Sequence, residues 1–149
     1  MKIIRAGDHF LCQLGKEERK LLWDLLKLYP CVSPAATPNL PGGRNSSNAL
    51  LEEALAEQRA ENKKRVQLFL RNRHRSEDPD KNFRFSLSSA ELEWLLQILN
   101  DVRIGNWISL GSPDEKFELK LLDEKTAPHF WAMEMAGHFE MQILSALMD

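Results

Sequence analysis

The sequence predicts a mainly α-helical domain carrying a small antiparallel sheet, and three observations lead there. Four amphipathic stretches dominate the 149 residues. Phe83, Phe85 and Leu87 alternate with Arg84 and Ser86, the period of a strand with one buried face. Near the N-terminus, two short apolar runs flank Gly7-Asp8, a turn signal. Together these give a four-helix orthogonal or bundle-like domain, with strands over about residues 2–5, 9–13 and 83–87. A chain of this length forms one core, so residues 1–149 read as a single domain. At 43% hydrophobic residues it needs no disulfide or metal staple.

The first helix runs from about Lys16 to Leu28, with Leu21, Leu22, Leu25, Leu26 and Leu28 on its inner side, and Pro30 stops it. Residues 31–48, CVSPAATPNLPGGRNSSN, read as a mobile connecting loop, and their Gly-Gly pair lacks the spacing and lysine of a phosphate loop. The second helix is expected over Ala49–Arg73, capped by Asn48, with Leu51, Leu55, Val66 and Phe69 on one face. Gln58 and Asn62 interrupt that face, so the helix is expected to bend, fray or reach past the core there. Ser88-Ser89-Ala90-Glu91 has the form of a capping box and opens a third helix. Leu92, Leu95, Leu96, Leu99, Val102 and Trp107 share its broad apolar face, with Ile98 at the border, as befits a central helix. Ser112-Pro113-Asp114-Glu115 suggests a short helix over 114–122, although Phe117, Leu119 and Leu121 alternate like a strand. The last helix, from Thr126–Pro128 to Met148, is apolar around well over half its circumference.

Few chemistries fit. There is no GxSxG, HExxH or CxxC, and neither cysteine lies beside a histidine in sequence. No set of residues argues for an enzyme, a metal or another cofactor. Glu134 and His138, with Trp131 and Gln142 on the same strip, would make half a metal site only if another helix completed it. Two cysteines, no apolar run of membrane length and no apolar leader point to a cytoplasmic protein without a membrane partner.

Two clusters remain. Lys63, Lys64, Arg65, Arg71, Arg73 and Arg75 stand against Glu61 near the end of the second helix. Such a patch binds polyanions, although cations at a helix C-terminus also simply complement the helix dipole. On the third helix, Arg103 falls within about 20° of Leu92 and Asn106 within about 40°, so both sit inside the apolar face. A guanidinium there must be paired or must reach out to water, and Glu140 is the acid lying among the apolar residues of the last helix, with Glu134 in reserve. Truncating one member of a buried pair is expected to cost roughly 3–5 kcal/mol. Anchoring an anionic ligand is the other use of Arg103.

The stretch Leu95-Leu96-Gln97-Ile98-Leu99-Asn100-Asp101-Val102-Arg103, followed by Leu110-Gly111 and a last helix opening with Phe130-Trp131, resembles an uncharacterised bacterial family of small helical domains familiar from actinobacteria. The whole chain fits that layout, departing from it in the segment KFELKLLDEKT and in residues 31–48. The resemblance implies a small, cytoplasmic, non-enzymatic helical protein and brings no catalytic residues. With Met133, Met135, Met141 and Met148 on the last helix, it leads to an interaction or regulatory module that binds a protein partner or self-associates through that helix. The alternative is a nucleic-acid-binding regulator that uses the basic end of the second helix.

Overall fold

Alternating side chains build the sheet, and their register decides which face is buried. The computed structural model describes residues 1–32, 46–72, 82–114 and 119–149. Strand β1 (Lys2–Ala6) turns through Gly7-Asp8 into β2 (His9–Leu14), which pairs on its other edge with β3 (Phe83–Ser88). Both pairings are antiparallel, placing Phe10 opposite Leu87, Cys12 opposite Phe85 and Leu14 opposite Phe83. All six side chains are buried on one face, whereas Ile4 and Leu11 lie on the other and are exposed.

Helix α1 (Lys16–Lys27) covers that face with Leu22, Leu25 and Leu26, each fully buried, and with Trp23. Leu28, expected on the inner side, is exposed because it caps the helix and the chain then turns away through a cis Tyr29–Pro30 bond. Helix α2 (Ser46–Asn72) begins earlier than expected, so Asn48 lies within it and does not cap it. Of the loop expected over 31–48, residues 46–48 are therefore helical, and 33–45 lie outside the described residues. Cys31 and Val32 are tied down, for the Asp101 carboxylate accepts from both of their backbone N–H groups, at 2.7 and 3.3 Å.

Only the C-terminal half of α2 joins the core, through Val66 and Phe69. Asn62, which interrupts its apolar face, belongs there: its Oδ1 accepts from Trp94 Nε1 at 3.1 Å and its Nδ2 donates to the Tyr29 hydroxyl at 3.3 Å. Before that point the helix runs past the core, and Leu51 is exposed. Trp23, Phe69, Phe83, Phe85 and Trp94 form one aromatic cluster, with ring centroids 5.3–6.5 Å apart and mostly tilted or edge-on contacts.

Helix α3 (Ser89–Ser109) starts at the capping box: Ser88 Oγ accepts from Glu91 N at 3.1 Å, and Glu91 Oε2 accepts from Ser88 N at 2.8 Å. Leu92, Leu95, Ile98, Leu99 and Val102 are buried, as is Trp94, whereas Trp107 is exposed and donates its indole N–H to Pro113 O. The end of α3 explains why no helix starts at Ser112. Gly111 and Ser112 both take positive φ, and Ser112 N donates to Trp107 O while Gly111 N donates to Ile108 O. That motif closes α3 and leaves Ser112 with no part in opening a new helix. Residues 112–114 are irregular, Leu119–Leu121 make one exposed 3-10 turn, and Phe117 lies outside the described residues.

Helix α4 (Ala127–Met148) packs along α3 through Ala132, Ala136, Phe139 and Ile143. No helix among the described residues is long and apolar enough to cross a membrane.

Gly105 is where the segment after α1 meets α3. A Cβ added there would lie 2.7 Å from the Cys31 carbonyl carbon and 2.9 Å from its oxygen, closer than real side chains approach backbone. Gly105→Ala is therefore expected to lower the thermal midpoint, by overpacking that costs about 1–3 kcal/mol. Unchanged melting of the variant would show that the Cys31 segment yields freely.

Candidate functional site

The residues singled out from the sequence fall into four places. Arg103 and Glu140 come together where α3 lies along α4: Nε donates to Oε2 at 3.2 Å and to Oε1 at 3.3 Å, and Nη2 donates to Asn100 Oδ1 at 2.9 Å. The partners differ in exposure. Arg103 keeps 41% of its side-chain surface in water and Glu140 12%, so the guanidinium reaches outward and the carboxylate stays inside. Burial pushes the Glu140 carboxyl above its ordinary range, and the charge and hydrogen bonds of Arg103 pull it back only in part. The pair is therefore half-buried, with Glu140 inside and Arg103 reaching water.

Asn106 takes no part in this pair. It is 6% exposed, donates Nδ2 to Val102 O at 2.7 Å, and lies with Oδ1 2.8 Å from His129 Nδ1. Cys31 Sγ sits 4.0 Å from the same Asn106 Nδ2. Cysteine, asparagine and histidine thus meet here although they are far apart in sequence. The glycine beside Asn106 on the inner face of α3 is the only hint of it that the sequence holds. The thiol is not poised as a nucleophile: burial, reinforced by the Asp101 charge, pushes it up to about 11, and Sγ donates to Leu28 O.

The basic patch is divided. Lys63, Lys64, Arg65 and Arg71 are exposed on α2, the Arg65 guanidinium lying 4.4 Å from the centroid of the Trp94 ring, and Arg73 and Arg75 fall outside the described residues. Glu134 and His138 are exposed on α4, and among the described residues no group of three potential ligands is placed to hold a metal ion.

What α4 does present is an uncovered face. Trp131, Met141, Leu144 and Met148 are 45%, 73%, 42% and 83% exposed. Met141 stands as a ridge between two grooves. One, of about 530 Å³, is lined by Arg103, Glu134, Gly137, His138 and Leu144; the other, of about 540 Å³, opens toward β1 and includes Ile3 and Gln142. Gly137 forms a hollow one turn before Met141. Among the described residues a Cβ there would meet Arg103 Cδ at 3.6 Å, an ordinary contact, so none of them requires glycine at this point. Glycine in a helix interior costs about 0.5–1 kcal/mol relative to alanine.

Comparison with family models, curated proteins and solved structures finds no match to this chain.

The unequal exposure of the ion pair sets a measurable asymmetry. Arg103→Met leaves Glu140 buried without its cation and is expected to cost about 1–3 kcal/mol at neutral pH. Because the folded-state pKa of Glu140 is raised, the fold favours the protonated carboxyl. Its contribution is present below the ordinary carboxylate value and is lost as pH rises through the raised one. Wild type should therefore lose stability relative to Glu140→Gln between mildly acidic and neutral pH, and the Arg103→Met deficit should shrink as pH falls. Melting curves across that range check both signs.

Proposed function

We propose that this chain is a non-catalytic interaction module whose docking surface is the outward face of α4. One observation carries the reading: Met141, Leu144 and Met148, 73%, 42% and 83% exposed, follow one another at helical spacing along a helix whose opposite face is already committed to the core. Isolated exposed apolar residues need no explanation, but a contiguous patch flanked by grooves marks an interaction site. Methionine suits such a surface because its unbranched thioether repacks against different shapes. The hollow at Gly137 supports the same reading, since among the described residues nothing packs closely enough there to require a glycine.

The alternative, a polyanion site on α2, finds less support. Lys63, Lys64, Arg65 and Arg71 are all exposed on the described part of α2, but Glu61 is exposed among them and the Arg65 guanidinium is held over the Trp94 ring.

A photoreactive residue at Met141 is expected to form a protein adduct in cells, whereas one at Glu53, on the exposed part of α2, forms none. Leu144→Asp should abolish the Met141 adduct without moving the melting temperature. Equal labelling from both positions, or none from Met141, would remove the proposal.

A further inference from the structure

We infer that the α4 face is covered by a second copy of this chain, packed antiparallel about a two-fold axis near residue 139. The inference rests on the interaction reading above and names the partner. Glu134, Gly137, Met141, Leu144 and Met148 follow one another at intervals of three, four, three and four, the seam spacing of packed helices. In an antiparallel pair centred on residue 139, Gly137 of one copy faces Met141 of the other, and Glu134 faces Leu144. The ridge and the hollow lie one turn apart on the same helix, so a single two-fold axis fits each ridge into the opposite hollow. A surface that matches itself in this way is what an isologous dimer requires.

The hollow has a wall suited to a thioether. Arg103 Cδ lies beside Gly137, and the Nε and Nη2 bonds to Glu140 and Asn100 hold the arginine stem in place. Charge permits the pairing without favouring it: Glu134 lies opposite Leu144, and the chain's net charge is only −2, so two copies repel weakly. Exposure agrees too. Met141, Leu144 and Met148 are 73%, 42% and 83% exposed, and this is the apolar surface a second copy would bury.

Sedimentation velocity over a micromolar concentration series, with a disulfide-trapping mixture alongside, tests this. Wild type should show concentration-dependent dimerisation. Gly137→Ala and Met141→Asp should weaken it by roughly tenfold or more, about 1.4 kcal/mol, with no loss of melting temperature. Glu134→Leu should tighten it, because the one charge in the seam is gone. In a Cys31→Ser background, mixing Glu134→Cys with Leu144→Cys chains should give the mixed disulfide in preference to either homodisulfide. Homodisulfides alone would overturn the antiparallel pairing. A chain that stays monomeric at high micromolar concentration and yields no mixed disulfide would overturn the second copy as occupant. In that event a Met141 photo-adduct with a different protein leaves the interaction reading standing, and the lack of any adduct removes both.

Discussion

Leu92, Leu95, Leu99 and Val102 are withdrawn from water entirely, and no single neighbour can do that to a helix. Helix α3 is covered by α4 along its length, by α1 and the sheet on other sides, and by the C-terminal half of α2 through Trp94. Each neighbour meets it with what the local gap allows. Alanines at 132 and 136 let α4 approach, Gly105 admits the backbone of Cys31, and Asn62 supplies the acceptor that the Trp94 indole needs. Burial of α3 organises the domain, and the other elements are placed by it.

The polar groups on and around α3 follow from that burial. An arginine in a packed seam must find a carboxylate or reach water, and Arg103 does both. Asp101 ties down the two backbone N–H groups that follow the cis-proline turn, and Asn106 satisfies its carboxamide on Val102 and His129. These contacts hold the domain together, and one of them also shapes its surface. Drawn toward Glu140 and Asn100, the Arg103 stem lies against Gly137 and walls the hollow beside the Met141 ridge. A structural ion pair thus borders the surface proposed as the docking face.

Two glycines illustrate how unequal the same residue can be. At Gly105 a methyl group would collide with the Cys31 backbone, and at Gly137 it would merely touch an arginine stem. Both sit inside helices and look alike in sequence. The difference lies wholly in what is packed opposite.

Period and capping, read locally, determined much of this protein. Alternation at Phe83, Phe85 and Leu87, the Gly-Asp turn and the Ser88–Glu91 box are short-range patterns whose physics is complete within a few residues, and strands, hairpin and helix start stand where those patterns put them. Sequence also marked Arg103 and Glu140 as polar residues on apolar faces, since helical geometry alone sets those angles. Tertiary structure decided the rest. Trp94 is buried and Trp107 exposed because the aromatic cluster extends to one end of α3 and not the other. Ser112 closes a helix because the backbone after Gly111 turns left-handed. The meeting of Cys31, Asn106 and His129, the half-hydrated state of Arg103 and the uncovered side of α4 depend on which surfaces meet across long stretches of chain. Local periodicity shows that a face is apolar; only packing shows which part of it stays exposed.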